Sequence, residues 1–308
     1  MEDKLTIQLL GWNGAMHLVE TARALATFPK EEVIIRYIDN GSTDASLEII
    51  MDILPHADIL RFEHNTGFAK AHNAGFARCT TPFVLTLDQD ITLEWNGIQA
   101  LLTEMKKNPK LGAVQGKLYR KGRSGVIDSA GIVQTLSLNG KERGANEPDA
   151  GQYDTKAMLI AVTGGCGLYR MEALQAVAHP EIFDEDFFAY KEDVDLGWRL
   201  RRAGWHVAYI PVLVGHHART MGKRGMFNWG IAPRTVAERI ANNRTKLSLR
   251  NYIWMLTKNM TFADEVFHSV FIAGRLLILF ILSLFSSTLF SAWREAFAGM
   301  HKMFDKRK

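Results

Sequence analysis

The sequence has little cysteine, little net charge, no internal repeat and no secretory leader pattern. Its two cysteines, Cys79 and Cys166, lie far apart and lack the spacing of zinc ligands, so we expect buried free thiols in a reducing compartment. The start, Met1-Glu2-Asp3-Lys4, is polar, whereas a secretory signal has a basic segment followed by an apolar one. The net charge of +4 is modest, and no other feature favours nucleic acid. We therefore expect a cytoplasmic protein without a nucleic-acid partner.

The 308 residues suffice for one large core, or for one domain with a smaller appendage. With 47% apolar and 23% charged residues, the composition is that of an ordinary folded enzyme. The charges are unevenly placed, because seven acidic residues fall between Glu181 and Asp195 and eight basic residues between Arg219 and Arg250. An acidic pocket beside a basic surface favours metal chemistry next to an anionic substrate or membrane.

The first half of the sequence alternates short β-branched runs with helical segments, which is typical of a parallel α/β sheet. Polar residues follow these strands, and open α/β sheets bind ligands beyond the carboxyl ends of their strands. We predict strands over residues 5–10, 33–38, 58–62 and 83–87, helices over 15–28 and 68–78, and a helix that ends at 53.

A second block of core elements follows a glycine-rich, polar stretch over about 117–156, in which we predict a hairpin around 131–140. The predicted elements of this block are a strand over 158–162, a turn at Thr163-Gly164-Gly165, a helix from Met171, and a strand over 206–210 that ends at Pro211.

The C-terminal third differs in kind from the rest. Leu276–Trp293 is apolar and uncharged for 18 residues, which only just reaches the length of a membrane span. Three interpretations stay open: a membrane span, a helix inserted into one face of a membrane, and a buried helix of a bundle. A basic tail follows over 301–308, and the basic run Arg219–Arg250 would face anionic headgroups, so we expect membrane contact.

The motif Asp88-Gln89-Asp90 directly follows the fourth predicted strand. Two carboxylates one residue apart can share a hard cation such as Mg²⁺ or Mn²⁺ with the oxygens of a substrate phosphate. The alternative is a surface turn that carries two acids by chance. We interpret Asp88 and Asp90 as a candidate metal and phosphate site.

Two further polar segments follow strands of the same predicted sheet. Asp39 begins a glycine turn with a helix cap, and its carboxylate could also accept a hydrogen bond from a base or a ribose. Asn65-Thr66-Gly67 precedes a helix and could be only its cap, or it could offer a helix N-terminus and an amide to a ligand. Both segments are candidate nucleotide contacts.

Acids crowd the start of a predicted helix at Glu192, Asp193 and Asp195. They could simply stabilise the helix dipole, or one of them could act as a general base whose proton affinity the others raise. The pair His216-His217 follows the last strand and could be a metal ligand or ordinary packing.

Taken in order, these segments resemble the inverting glycosyltransferases of family 2, which have the GT-A fold, and especially their bacterial rhamnosyltransferase-like branch. The resemblance covers about residues 5–217, and the ordered set is far more specific than any one motif. The segments that carry it are Ile38–Asp44, Asn65–Ala69, Leu87–Asp90, Thr163–Arg170 and Phe183–Pro211.

The resemblance implies a role for each residue on the donor side. Asp39 and Asp88 would contact the base and ribose, Asn65 and Gly67 would line the nucleotide pocket, and Asp90 would bind Mg²⁺ or Mn²⁺. The fold implied is an α/β, mostly parallel GT-A sheet, with a nucleotide-sugar half over about 1–116.

On the acceptor side, the resemblance implies that Asp193 is the catalytic base. Gly164 and Gly165 would flank the acceptor channel, with Glu192 beside them, and His216 would be a further metal ligand. This acceptor half would extend over about 157–217, and 218–308 would form a basic and apolar helical region at the membrane.

The implied reaction transfers a sugar from a nucleotide diphosphate to a hydroxyl of a glycan or of a polyprenyl-diphosphate-linked acceptor at the inner face of the cell membrane. We expect L-rhamnose from a dTDP donor, with UDP sugars as alternatives. The family's usual Thr-Tyr-Asn is replaced here by Gly11-Trp12-Asn13, and residues 218–224 depart from its glycine-serine pattern. These departures concern the contacts with the donor base and with the acceptor.

Two other functions remain open from the sequence. A nucleotidyltransferase would carry a glycine-rich basic loop after the first strand, but residues 11–17 contain no Lys or Arg. An inactive scaffold at the membrane would be expected to have lost acids of the set, and Asp39, Asp88, Asp90 and Asp193 are all present.

Overall fold

The central element of the computed structural model, which describes residues 4–219 and 243–307, is a ten-stranded mixed sheet. Its first half is parallel, with the strand order β4-β1-β2-β3. The elements of this half are β1 (Leu5–Gly11), α1 (Ala15–Ala26), β2 (Val33–Asp39), α2 (Ser46–Ile53), β3 (Asp58–Arg61), α3 (Phe68–Ala77) and β4 (Phe83–Asp88).

Helices cover both faces of this parallel half, and the central strand β1 is therefore buried on both sides. Leu5, Ile7 and Leu9 belong to the main apolar core, and the intervening Thr6 and Gln8 are buried as well. The predicted order of strands and helices and the predicted α/β class are confirmed. Apolar runs bounded by turn residues specify such strands locally.

The second half of the sheet is mixed. The short strand β11 is antiparallel to both β4 and β6, and β12 is parallel to β6. The elements here are β5 (Ile91–Leu93), α4 (Trp95–Lys107), β6 (Leu111–Arg120), β7 (Ile127–Ser129), β8 (Ile132–Gln134), β9 (Gly140–Glu142), β10 (Ala157–Met158), β11 (Leu168–Arg170), α5 (Met171–Val177), α6 (Glu192–Arg202) and β12 (His206–His217). The antiparallel pair β8–β9 confirms the predicted hairpin.

Two predicted strands differ in length from those observed. The predicted strand 158–162 ends at Met158, because the next residues bond alternately to β12 and β8: Leu159 N donates to Val207 O, and Ile160 N to Ile132 O. The last strand does not end at Pro211 but continues to His217. Its register with β6 shifts between Tyr209 and Leu213, and such an irregularity accommodates a proline without a ladder hydrogen bond.

Three C-terminal helices follow: α7 (Asn243–Asn259), α8 (Phe262–Ser283) and α9 (Ser287–Asp305). Helix α7 lies between α6 and α9, and its buried side chains form one apolar cluster with theirs. The cluster includes Val194, Trp198, Leu249, Tyr252, Met255, Leu289, Ala292 and Ala296. Helix α7 is therefore packed directly on the helix that begins with Glu192 and Asp193.

The apolar stretch Leu276–Trp293 does not form one helix. Helix α8 ends at Ser283, and the hydroxyl of Ser286 accepts a hydrogen bond from Leu289 N, which caps the start of α9. The helix that is long and apolar enough to cross a membrane begins earlier, at Phe262, and little of it is buried. In contrast, Leu289 and Ala292 of the predicted segment belong to the core with α7.

The acidic stretch 181–195 does not form one open pocket. Asp184 and Asp195 are buried and pair with Lys258 of α7, at 2.9 and 3.0 Å from its Nζ. Asp186 pairs with Lys302 of α9 and with Lys306, which directly follows α9. This part of the acidic stretch therefore binds the C-terminal helices. Most of the basic stretch, over 220–242, lies outside the described residues.

Neither cysteine forms a disulfide. Cys166 is buried, and burial raises the pKa of its thiol to about 12. Cys79 is partly exposed, so the prediction that both thiols are buried is wrong for this residue.

Candidate active site

The register of the parallel strands brings the candidate donor residues to one edge of the sheet. Leu10 of β1 pairs with Asp88 of β4, and Gly11 pairs with Asp39 of β2. Asp39 is completely buried. Its Oδ1 accepts from Ser42 N at 3.0 Å, and its Oδ2 lies 3.3 Å from Arg61 Nε without forming an aligned hydrogen bond. A buried carboxylate oxygen without a hydrogen-bond partner can accept a hydrogen bond from a ligand.

The loop before α3 lies beside Asp39. Asn65 Oδ1 accepts from Gly67 N at 2.9 Å and from the side chain of Asn40 at 3.2 Å, so the Asn65 side chain shapes this turn. Gly67 has a φ of +88°, and a side chain there would collide with the backbone of Phe188. Glycine is required at this position because of both its conformation and the close approach of a second loop.

The middle residue of the aspartate motif joins the ends of β1 and β4. Gln89 Oε1 accepts from Trp12 N at 2.9 Å, and Gln89 Nε2 donates to Trp12 O at 3.1 Å. The indole of Trp12 is 41% exposed at this edge. The segment Gly11-Trp12-Asn13, which differs from the family's usual Thr-Tyr-Asn, is therefore hydrogen-bonded to the aspartate motif through Gln89.

Asp88, Asp90 and His217 form a compact group in which one carboxylate oxygen of each aspartate and one ring nitrogen of the histidine lie within 4.8 Å of one another. His217 Nε2 is 3.2 Å from Asp90 Oδ1. Two carboxylates and an imidazole fit a divalent cation, since they supply hard oxygen ligands and one nitrogen ligand. The donor set of this chain therefore fits the predicted Mg²⁺ or Mn²⁺.

The structure brings His217, and not the predicted ligand His216, to the two aspartates. Successive side chains of a strand point to opposite faces, so the two histidines of β12 diverge. His216 Nδ1 lies 3.5 Å from Glu94, and its side chain is 40% exposed. The sequence could not distinguish them, because the strand was predicted to end before either residue.

Asp128 of β7 was not identified from the sequence. It is completely buried, and its carboxylate accepts from His217 Nδ1 at 2.9 Å and from Arg219 Nε at 2.8 Å. Burial opposes its ionisation, but the hydrogen bonds from His217 and Arg219 lower its pKa. An ionised carboxylate can only accept, so Nδ1 of His217 carries the proton and Nε2 is directed to Asp90.

The charges of this group perturb one another. Burial, and then the neighbouring Asp90, raise the pKa of Asp88 to about 6. Burial lowers the pKa of His217, but the hydrogen bonds to Asp128 and Asp90 outweigh it and raise the value to about 9. Carboxylates crowded in this way favour a positive charge between them, which a proton on His217 or a divalent cation can supply.

Asp193 and Asp88 lie on two sides of one glycine turn, Gly164–Cys166. Asp193 Oδ2 accepts from Gly164 N at 3.2 Å, and a side chain at Gly165 would collide with the carboxylate of Asp88. The turn thus separates the two acids by little more than its own backbone. Gly165 is needed for this approach, whereas a side chain at Gly164 would first meet the ring of Phe68.

Glu192 lies beside Asp193 at the start of α6. It is 5% exposed, and its Oε2 has no hydrogen-bond partner among the described residues. Burial raises the pKa of Glu192 well above its usual value, and the charge of Asp193 raises it further. Burial also raises the pKa of Asp193, which Lys191 partly opposes. Both carboxyls are therefore better proton acceptors than exposed ones.

The aspartates at the carboxyl edge of the parallel half-sheet, and the acids on the two sides of the glycine turn, form the candidate site, since open α/β sheets bind ligands beyond the carboxyl ends of their strands. A model of glycosyl transferase family 2 matches residues 15–177. The match covers more than half of the chain, which belongs to glycosyl transferase family 2.

Two relatives are identical to the chain at about a quarter of the aligned residues. It is 28% identical over 186 residues to the poly-beta-1,6-N-acetyl-D-glucosamine synthase of Staphylococcus epidermidis, covering 60% of the chain but only 42% of that protein. It is 27% identical over 247 residues to the N-acetylglucosaminyl-diphospho-decaprenol L-rhamnosyltransferase of Mycobacterium tuberculosis, covering 72% of the chain and 79% of that protein.

Solved structures share the fold. The crystal structure of Staphylococcus aureus TarS 1-349 in complex with UDP-GlcNAc covers 98% of this chain and 90% of its own length, with a TM-score of 0.57 and 14% identity. The structure of the same fragment with UDP has a TM-score of 0.52 and 16% identity, and covers 84% of this chain and 67% of its own length.

Proposed function

We propose that this glycosyltransferase moves L-rhamnose from a dTDP donor to a hydroxyl of a glycan or of a polyprenyl-diphosphate-linked acceptor, with inversion at the anomeric carbon. The observation that carries the proposal is the glycine turn Gly164–Cys166, with the carboxylate of Asp88 on one side and that of Asp193 on the other. A donor held at Asp88 and an acceptor hydroxyl at Asp193 would meet at this turn.

On the donor side, Asp39 and Asp88 accept hydrogen bonds from the base and ribose, and the loop of Asn65 and Gly67 closes the nucleotide pocket. Asp90 and His217 hold Mg²⁺ or Mn²⁺, with His217 in place of the predicted His216. When bound, this cation neutralises the charge of the departing diphosphate. The short distance between Asp90 and His217 and the orienting hydrogen bond from His217 to Asp128 support this assignment.

On the acceptor side, Asp193 takes the proton of the attacking hydroxyl, whose oxygen bonds to the anomeric carbon as the sugar–phosphate bond breaks. The electron pair of that bond leaves with the nucleoside diphosphate. A single displacement from the face opposite the diphosphate inverts the anomeric centre. Gly164, Gly165 and the unpartnered oxygen of Glu192 would bind hydroxyls of the acceptor.

The choice of rhamnose and of a lipid-linked acceptor comes from the mycobacterial relative, since the alignment covers 79% of its length. UDP-N-acetylglucosamine is the second candidate donor. The glucosamine-polymer synthases and the TarS complex with UDP-GlcNAc favour it.

The proposal includes membrane contact through α8, with the protein at the inner face of the cell membrane. This helix passes the length and composition test for a membrane span and is mostly exposed. A continuous exposed apolar face of this kind fits the boundary between headgroups and acyl chains. Its most exposed apolar side chains are Phe262, Val266, Phe267, Val270, Leu277 and Ile278.

A donor screen tests the proposal. The purified full chain is mixed with Mn²⁺ or Mg²⁺ and, in turn, dTDP-rhamnose, UDP-N-acetylglucosamine, UDP-glucose and UDP-galactose, and nucleotide binding and release are measured beside an Asp90→Ala control. Metal-dependent turnover of one donor, lost in the control, supports the transferase and identifies its sugar. A folded protein that binds none of them, with or without metal, would favour the inactive scaffold.

A further inference from the structure

The loop that precedes α6, the helix of the proposed base Asp193, has several residues with left-handed backbone conformations. Phe188, Tyr190 and Lys191 have φ angles of +65°, +73° and +74°, and none of them is glycine. Such a conformation is unfavourable for a residue with a side chain and persists only where the surrounding structure imposes it. The loop Phe187–Lys191 immediately precedes Glu192 and Asp193, so whatever imposes this backbone also sets where the two acids lie.

Helix α7 supplies hydrogen-bond donors to this loop. Asn251 is completely buried, and its Nδ2 lies 2.7–2.8 Å from the carbonyl oxygens of Phe187, Ala189 and Tyr190. The neighbouring Arg250 donates from Nη2 to Phe187 O at 3.0 Å. Buried carbonyl groups need such donors, and a loop with this backbone cannot supply them from a regular ladder.

The opposite side of the same loop contacts the donor pocket. Phe188 O accepts from Ala69 N at 3.2 Å, and the ring of Phe188 fills the space that a side chain at Gly67 would need. The loop is thus held between α7 on one side and the start of α3 on the other. Asn251 lies behind the loop, away from the candidate substrate contacts.

We propose that Asn251 is a positioning residue, which holds the loop Phe187–Lys191 so that Asp193 is aligned with the bound donor. The proposal rests on the proposed role of Asp193 as the base. Helix α7 would therefore help to align the reacting groups. This helix lies outside residues 15–177, which the family model matches.

The first test measures the loop itself by amide hydrogen exchange in the full chain. Asn251→Leu keeps the volume of the side chain but removes its donors, and Asn251→Ser restores one donor. The matched control is Tyr252→Phe, which removes a buried hydrogen bond to Ser137 O from the next position of α7. We expect exchange over residues 187–193 to rise at least about tenfold in Asn251→Leu, to rise less in Asn251→Ser, and to stay at the wild-type rate in Tyr252→Phe.

The second test measures the release of nucleotide from UDP-N-acetylglucosamine or dTDP-rhamnose in the presence of Mn²⁺. The kcat and the donor KM are determined separately. A base displaced by a loosened loop lowers kcat about ten- to a hundredfold and leaves the donor KM within about twofold. Asn251→Ser should recover part of kcat, and Tyr252→Phe should match the wild type.

Three results would overturn the proposal: an unchanged loop in Asn251→Leu, faster exchange over the whole chain rather than over the loop, or a loosened loop with unchanged kcat. The second result would indicate a general stabilising role only. If the wild type releases nucleotide from neither donor, the proposed function fails, and the exchange experiment alone then decides whether Asn251 holds the loop.

Discussion

Two adjacent histidines of β12 have different surroundings, although the sequence presents them as a pair. His217 lies 3.2 Å from Asp90 and bonds to the buried Asp128, whereas His216 faces Glu94 at the surface. The resemblance implied that His216 is the metal ligand, whereas the structure brings His217 to the aspartates. The sequence could not decide between them, because which histidine faces the aspartates depends on how far the strand continues past Pro211.

The histidine pair gives a matched comparison. We expect His217→Ala to weaken Mn²⁺-dependent binding of UDP at least about tenfold, since it removes one ligand and the partner of Asp128. His216→Ala should bind UDP and Mn²⁺ like the wild type. The shift of the unfolding temperature with increasing Mn²⁺ at fixed UDP measures both. Equal losses in the two variants would contradict the assignment of His217.

Asp128 should act on the cation through His217. Asp128→Asn keeps the shape of the side chain but weakens the hydrogen bond that fixes the imidazole, so we expect Mn²⁺ affinity to fall about ten- to a hundredfold. Asp149→Asn is the control, because Asp149 also accepts hydrogen bonds, from the buried Lys117 and from Tyr119, but is not part of the group Asp88, Asp90 and His217. Calorimetric titration with Mn²⁺ compares them, and an unchanged affinity in Asp128→Asn would refute this role.

At the scale of elements, the regular strands and helices of the first half could be predicted because their patterns are local. The parallel register that brings Asp39 and Asp88 together follows from that pattern. The break within 276–293 could not be predicted, since it depends on Ser286 capping α9 and on α9 packing against α7. Capping residues are common in sequences, and only the tertiary partner decides which of them starts a helix.

The contact between α6 and α7 includes a buried ion pair. Asp195 is completely buried, and its Oδ2 lies 3.0 Å from Lys258 Nζ and 2.9 Å from Arg199 Nε. Burial opposes ionisation of Asp195, but Lys258 and then Arg199 outweigh it and lower the pKa from 3.8 to about 2. The charged carboxylate is therefore favoured in the folded state, and the two helices are joined by it.

This ion pair predicts an acid-sensitive contribution to stability. Because the folded pKa lies below the unfolded one, the contribution of about 2 kcal/mol is complete above about pH 4 and is lost as the pH falls towards 2. Urea unfolding of the wild type and of Asp195→Asn between pH 7 and 2 measures it. The difference in unfolding free energy between them should shrink below pH 4, and a difference that stays constant to pH 2 would contradict the prediction.

At the scale of the whole molecule, the three C-terminal helices have two different environments. Helices α7 and α9 share a core with α6, whereas α8 presents most of its apolar side chains outward. The sequence predicted an apolar C-terminal region but not this division. The lysines of α7 and α9 that pair with Asp184, Asp186 and Asp195 are distant in sequence from those acids, so local charge patterns could not reveal the pairing.

The exposed face of α8 predicts binding to lipid vesicles. Replacing Phe267 and Val270, which are 74% and 80% exposed, by Glu should weaken binding to phosphatidylglycerol-containing vesicles at least about tenfold, since each apolar side chain contributes about 1.5–3 kcal/mol when buried. Met16→Glu is the control, because Met16 is an exposed apolar residue of α1. Vesicle sedimentation measures binding, and equal binding of all three proteins would refute membrane contact through α8.

In the proposed reaction, Asp193 takes the proton of the acceptor while the donor is held across the glycine turn. The most direct measurement compares Asp193→Asn with the wild type, using the donor that the wild type turns over with Mn²⁺, and records donor affinity and nucleotide release separately. We predict an affinity within about twofold of the wild type and release slowed about 10²- to 10⁴-fold. Release at the wild-type rate would contradict the account.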